Sequence, residues 1–368
     1  MKIKILTLQE IEDCLFGAEI LGCGGGGEIE WGKSLIQEAS EKGKTFKLLD
    51  PSSIKDEDLI CITGFVGGGI SDEIREKLKH LEKNLTDEDR FQKPLIKAVK
   101  ELSLYLGEDF HAFLPTETGA GNFAAPFYVS AMTDKYIIDG DACGRAKPEI
   151  AISTTHIKGL SVTPLSIVSP YGDTLILKET LSDYRAEDIC RYNAVISGGV
   201  CAVARCPARG FSYRNAFIEG TVTRAINLGR AIRESLKKGL PPVEKFLKTV
   251  KDSRVIFRGN IKEWEREKRE GFMWGNIGIE GIGTYKNRKM TVWYKNEFLI
   301  SYIDEKPAVI CPDLICIIDN ITGKGLSNWV SDLGVYTDRS VSVITVPAHD
   351  LWKTEKGLEI FGPVHFGF

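Results

Sequence analysis

Histidine, methionine and membrane-length apolar runs are scarce in this 368-residue chain, and each scarcity excludes something. The five histidines, His80, His111, His156, His349 and His365, show neither H-x3-H nor H-E-x-x-H spacing, so a histidine-built zinc site has weak support. Nine cysteines are present but no C-x-x-C. Of the two C-x4-C pairs, Cys201/Cys206 and Cys311/Cys316, the second falls in an expected strand, where an odd offset sends side chains to opposite faces. Reduced, buried thiols in a cytoplasmic protein are expected. No uncharged apolar stretch reaches the ~18 residues of a membrane span, Tyr192–Ala204 being too short. Nor does the start, where Met1-Lys2-Ile3-Lys4-Ile5 runs into Glu10, Glu12 and Asp13, read as a secretory leader. An excess of one charge is also missing. Lys and Arg number 48 against 51 Asp and Glu, for a net charge of −3, which argues against a nucleic-acid partner.

Glycine is what the chain has in excess: 37 residues, well above the average share of about 7%. Thr7-Leu8-Gln9-Glu10 reads as a capping box opening a helix through Ile20, which stops at Gly22-Cys23-Gly24-Gly25-Gly26-Gly27. A helix over Trp31–Lys42, strands at Phe46–Leu49 and Leu59–Thr63, helices at Ser71–Asn84 and Phe91–Leu106, and strands at Ala112–Leu114 and Tyr136–Ile138 follow. This alternation predicts an α/β N-terminal domain over residues 1–165. Residues 166–368 hold helical stretches and then, after Ser253, closely spaced β-type runs, which predicts a strand-rich α+β C-terminal domain.

Two nucleotide motifs occur and both lack their context. Gly22-x-Gly24-x-x-Gly27 matches a dinucleotide fingerprint, but a capped helix stands where a strand is required. Gly27 to Ser34 matches G-x4-G-K-[ST], but Glu28 and Glu30 would set two carboxylates beside a polyphosphate. No nucleotide cofactor is therefore expected, and a P-loop-like protein is kept as the alternative. The row Gly24, Gly25, Gly26 and Gly27 itself suits close backbone approach, either to a substrate or to packed neighbours.

The segment Glu117–Glu149 carries the polar chemistry. Glu117 and Asn122 lie in a Gly-rich turn just past one expected strand. Asp139, Asp141, Arg145 and Glu149 lie just past the next. Ligands of α/β domains bind beyond the carboxyl ends of strands, so these groups are expected to face one cleft. Asp139 and Asp141, two apart, suit either a divalent oxygen-ligated ion or an acid/base pair. His156 is a further candidate ligand.

Leu21-Gly22-Cys23-Gly24-Gly25-Gly26-Gly27, Glu117-x-Gly119-x-Gly121-Asn122, Asp139-Gly140-Asp141-x-x-Gly144-Arg145-Ala146-x-Pro148-Glu149, Pro312-Asp313-Leu314-Ile315 and Gly362-Pro363-x-x-Phe366-Gly367 occur in this order. Together they resemble the S-methyl thiohydantoin desulfurase-like proteins, a family of two-domain chains often encoded beside hydantoinase or oxoprolinase genes. Ala120 and Phe65-Val66-Gly67-Gly68-Gly69 depart from the family's usual residues, as do Cys23 and Cys143. The resemblance implies a hydrolase-type attack on a hydantoin-like ring, with C=S or C–S-methyl replaced by C=O. It makes Glu117, Asp139 and Asp141 candidate acid and base, and Arg145 a stabiliser of negative charge or a dock for a substrate carboxylate. Asn122, Glu149 and the Gly24–Gly27 amides become substrate contacts. It also suggests a hydantoinase- or oxoprolinase-type partner; the sequence does not fix the oligomeric state, and a homo-oligomer is compatible with it. The rival class is a non-catalytic accessory subunit of such a system.

Overall fold

The computed structural model describes residues 1–83 and 85–368, and builds them around two large sheets. The first has eight strands in the spatial order Ile3–Leu6, Phe46–Leu49, Tyr136–Ile138, Ala112–Pro115, Leu59–Gly67, Val200–Arg209, Leu165–Val168 and Thr174–Leu177. Its four inner strands from Phe46–Leu49 to Leu59–Gly67 run parallel, and the pairs outside them are antiparallel. Parallel strands need cover on both faces. Leu48, Cys61, Phe113 and Ile137 point to a helical layer, in which residues Ala120–Ala131 of the helix Ala120–Met132 are all buried. On the other face, Ile60, Ile62, Leu114 and Ile138 pack against Ala142, Tyr213 and Phe217.

The capping box at Thr7 forms in both directions and opens the helix Leu8–Leu21. Helix Thr221–Lys237 crosses it at two glycines. A Cβ on Gly17 would lie 2.0 Å from the Ala225 carbonyl oxygen, and one on Gly229 would lie 1.8 Å from that of Asp13. Arg233 closes the contact on buried Asp13 at 2.6 Å. The helix expected over Ser71–Asn84 is Asp72–Glu82, with Asn84 outside the described residues.

The α/β sheet does not stop at the break expected near 165. Leu165–Val168, Thr174–Leu177 and Val200–Arg209 all join it, because the open edge of Leu59–Gly67 is completed by an antiparallel strand from later in the chain. The second sheet is wholly antiparallel. Its order is Lys306–Ile310, Glu297–Ile303, Lys289–Lys295, Phe272–Gly281, Arg254–Trp264, Ser340–Val346 and Leu314–Asp319, and Glu267–Arg269 pairs with Phe272–Gly281 off this path. Alternation sets its faces: Met290, Val292 and Tyr294 are buried and the residues between them are not. The architecture is thus an α/β N-terminal part followed by a strand-rich C-terminal part. Among the described residues, no helix is long and apolar enough to cross a membrane.

Candidate active site

The glycine row lies between the helices Leu8–Leu21 and Ile29–Glu41, where the two sheets come together. Each glycine answers a local demand. Gly24, Gly26 and Gly27 have φ of 86°, 79° and 84°, a region costly to other residues. A Cβ on Gly24 would strike the Phe298 ring, one on Gly25 would lie 1.9 Å from Glu297 Oε1, and one on Gly26 would lie 2.5 Å from Gly119 Cα. Gly24 and Gly25 therefore serve domain packing, while Gly26 and Gly27 reach a cavity. The motif's Lys33 is tied to Glu30 at 2.9 Å.

That cavity, of about 450 Å³, opens between the two sheets. Its N-terminal walls carry Gly26, Gly27, Glu117, Asn122 and Lys147, and its C-terminal wall carries Lys268, Asn296 and Glu297. Trp31, Phe65 and Phe91 add an aromatic side: Trp31 stacks on Phe91 at 5.3 Å and meets Phe65 edge-on at 5.2 Å. Gly67-Gly68-Gly69, which begins on the last residue of the strand Leu59–Gly67, lets the domains approach, since a Cβ on Gly68 would lie 1.9 Å from the Gly271 carbonyl oxygen.

Glu117 follows the strand Ala112–Pro115 and is 4% exposed. Its Oε1 accepts from Asn122 Nδ2 at 2.7 Å, and its Oε2 from the Lys147 backbone N–H at 3.0 Å. Burial pushes this carboxyl up to about 7, against the pull of the Lys147 charge and the two hydrogen bonds. Lys147, also buried, is pushed down to about 8 by burial, helped by the charge of Arg205. Glu297 opens a C-terminal strand after the turn at Asn296 and is 2% exposed. Burial, and then the neighbouring charge of Glu117, hold its carboxyl well above the ordinary range, so it keeps its proton. Its Oε2 is buried without a hydrogen-bond partner. Two carboxyl groups, one from each domain, thus sit in one cleft with affinities for protons pushed apart, the signature of a base beside an acid.

Glu149 lines the same cleft, already paired with Lys295 at 2.5 Å and hydrogen-bonded to His365 Nε2 at 3.0 Å. Burial raises its carboxyl, but the hydrogen bond with His365 and the charge of Lys295 outweigh burial and hold it down to about 2. Arg191 lines the wall while paired with Glu187, and it donates to the carbonyls of Gly67 and Pro148.

Three expected site residues are turned elsewhere. Asp139 caps the helix Thr221–Lys237, accepting from Thr223 N at 2.9 Å and Thr223 Oγ1 at 2.5 Å. Asp141 is fully buried and closes its own turn, accepting from Thr118 Oγ1 and from the Cys143 and Gly144 amides. These partners draw the two aspartates apart, so they do not share the cleft with Glu117. Arg145 donates to the carbonyls of Phe298 at 2.6 Å and Asp313 at 2.7 Å, and so ties the N-terminal part to the C-terminal sheet. Cys143 is buried away from the cavity, its thiol pushed far up by burial. His156 sits in the short helix Thr154–Ile157, bonded to the Ala151 carbonyl at 2.9 Å. Among the described residues, no three His, Cys, Asp or Glu side chains are grouped to hold a metal.

Lys147 and Glu297 escaped the sequence reading. Lys147 stands inside the Asp139–Glu149 string and is the one amine among its three carboxylates. Glu297 has no motif around it. Only a charged residue opening the apolar run Phe298–Ile303 marked the position.

Two family profiles cover nearly the whole chain: the S-Me-THD-like N-terminal domain matches residues 9–179, and the S-Me-THD-like C-terminal domain matches residues 181–368. The chain belongs to the S-Me-THD-like family. No curated protein matches it. A crystal structure of a protein from Chromobacterium violaceum, a structural-genomics target, is similar with a TM-score of 0.79 at 19% identity, over 99% of this chain and 98% of that one. At that identity the likeness concerns the S-Me-THD-like fold alone. The cleft of this S-Me-THD-like chain is built by residues from both matched domains, Glu117 from the first and Glu297 from the second.

Proposed function

We propose that the cleft hydrolyses the carbon–sulfur bond of a hydantoin-like ring, replacing ring C–S-methyl, or C=S, by C=O. The observation that carries this reading is the pair Glu117 and Glu297, one carboxyl tuned near neutrality and the other held protonated, facing a cavity wide enough for a five-membered ring. The family name points the same way.

The step balances for an S-methyl ring. Glu117, as carboxylate, takes a proton from water while the water oxygen bonds to the ring carbon, and the C=N electrons move to the ring nitrogen. That nitrogen takes its proton from Glu297. The Lys147 ammonium steadies the negative charge that builds up in the tetrahedral adduct. The remaining O–H proton passes to the Glu297 carboxylate, which restores that acid and forms C=O as the carbon–sulfur bond breaks. Methanethiolate then receives the proton held on Glu117, which leaves hydantoin and methanethiol. The aromatic side made by Trp31, Phe65 and Phe91 gives the planar ring an apolar surface. The test is methanethiol release from an S-methyl thiohydantoin by the purified protein and by the Glu117→Gln and Glu297→Gln variants. Release by the wild type that both variants lose supports the reading, and equal release by all three sinks it.

A further inference from the structure

A buried lysine keeps its proton when a carboxylate holds it, and Lys147 lacks that hold. It lines the cavity and is buried. Among the described residues its Nζ has one polar partner, the Ile150 carbonyl at 3.5 Å, the outer limit of a hydrogen bond. Glu117 bonds to the Lys147 backbone N–H, not to the amine. Glu187, from the helix Asp183–Ile196, is spent on Arg191 at 2.8 Å and on the Ile150 N–H at 2.6 Å. Glu149 is taken by Lys295, and Glu297 keeps its own proton. Cys143, also near the amine, is a neutral thiol. A second buried cation lies close by. Arg205, opposite Ile62 in the first sheet, donates from Nη2 to Thr116 Oγ1 at 2.8 Å. Its Nε is buried with no partner among the described residues. Burial, and then the charge of Arg205, push the lysine down to about 8, while Glu117 and Glu187 pull the other way. A desolvated amine beside a fixed cation is the arrangement that makes lysine a nucleophile.

We infer that Lys147 is a modification site: as the free amine it captures the ring carbon of an S-methyl thiohydantoin, forming a stable guanidine that inactivates the protein. The choice of electrophile rests on the desulfurising reading of the cleft; the reactive amine does not. Nζ bonds to the carbon that carries sulfur, the C=N electrons pass to the ring nitrogen, and that nitrogen takes one Nζ proton. The C=N bond then reforms as the carbon–sulfur bond breaks. Methanethiolate leaves with the proton given up by the new guanidinium, so nothing is oxidised or reduced. The captured carbon now carries three nitrogens and no sulfur leaving group, so water does not release it. Hydrolysis uses the ammonium form of Lys147 and capture uses the amine, so the two routes trade places as pH rises through about 8.

Two reagents decide it, each applied to the full chain between pH 7 and 10 with peptide mapping by mass spectrometry. An S-methyl thiohydantoin should leave one ring on Lys147, severalfold faster at pH 9 than at pH 7, with activity lost in step. Cyanate, which reports the amine alone, should carbamylate Lys147 at least about tenfold faster than any exposed lysine at pH 8, half-maximally near that pH. Arg205→Met should slow both reactions severalfold at pH 8, and Arg205→Lys should restore them. Should Arg205→Met not fold, the wild-type pH curve still decides, because an ordinary lysine reaches half-maximal labelling only near pH 10. Carbamylation of Lys147 no faster than that of exposed lysines would overturn the inference. So would methanethiol release in steady turnover at pH 9 with no ring on Lys147. Failure of the desulfurising reading looks different: cyanate still selects Lys147, but the ring yields neither methanethiol nor an adduct, which removes ring capture along with that reading.

Discussion

Glu117→Gln removes one atom's charge and leaves the side chain's shape, which makes it the sharpest perturbation of the account. In the wild type this carboxyl titrates near 7 rather than at its ordinary 4.5, because 4% exposure denies its charge solvent. Raising a carboxyl that far makes its ionisation cost about 3 kcal/mol of folding free energy, present as stability below pH 4.5 and lost as pH rises through about 7. The glutamine variant cannot ionise, so its stability should lack that decline between about pH 4.5 and 7. It does not become simply more stable. Asn122 Nδ2 and the Lys147 N–H both donate to the carboxylate, so one of them meets an amide N–H₂ and loses about 1–3 kcal/mol. The two effects nearly cancel at neutral pH. Turnover has no such compensation: loss of a general base lowers kcat by about 10²–10⁴, or about 3–5 kcal/mol in the barrier. Urea unfolding at several pH values and steady-state methanethiol release measure both sides. A variant keeping more than about a tenth of wild-type kcat, or showing the wild-type pH dependence of stability, would refute the assignment.

For the wild type, kcat/KM should climb through about pH 7 as Glu117 ionises and fall above about pH 8 as Lys147 loses its proton, and a profile flat from pH 5 to 9 would contradict this. Gly26→Ala should lower stability by at least about 2 kcal/mol in denaturant titrations, since the residue has φ 79° and its Cβ would sit 2.5 Å from Gly119 Cα. Arg145→Met should cost about 3 kcal/mol or more by orphaning the Phe298 and Asp313 carbonyls, and a midpoint shift worth under about 1 kcal/mol would count against its tying role. Asp139→Asn should keep kcat within about threefold of wild type and lose only about 1 kcal/mol from the helix cap; complete inactivation of a folded variant would return Asp139 to the site.

Local chemistry was legible in the sequence where it is decided by neighbours. Thr7 and Glu10 fix a helix start within four residues, and Phe46–Leu49 and Tyr136–Ile138 declare themselves as buried strands. The extent of the first sheet was not legible. Val200–Arg209 mixes small residues with Pro207 and shows no alternation, and it becomes a strand because Leu59–Gly67 offers it an edge. The same divide runs through the site. Glu117, Asn122 and Glu149 were placed by the strand-then-turn context, the last two glycines of the row by their suitability for close backbone approach, and all of them meet in the cleft. Asp139 shares that context, yet the Thr223 amide, 84 residues on, claims its carboxylate. Glu297 enters from the other domain by tertiary packing, which no local pattern encodes.

The central claim is that water, activated between Glu117 and Glu297, displaces sulfur from a ring carbon. Incubating the purified protein with an S-methyl thiohydantoin in oxygen-18 water, and weighing the product by mass spectrometry, tests it most directly. The account predicts one heavy oxygen in the hydantoin for each methanethiol released, at a rate that collapses in Glu117→Gln. No methanethiol above the buffer control, or release without the heavy oxygen in the ring, would contradict it.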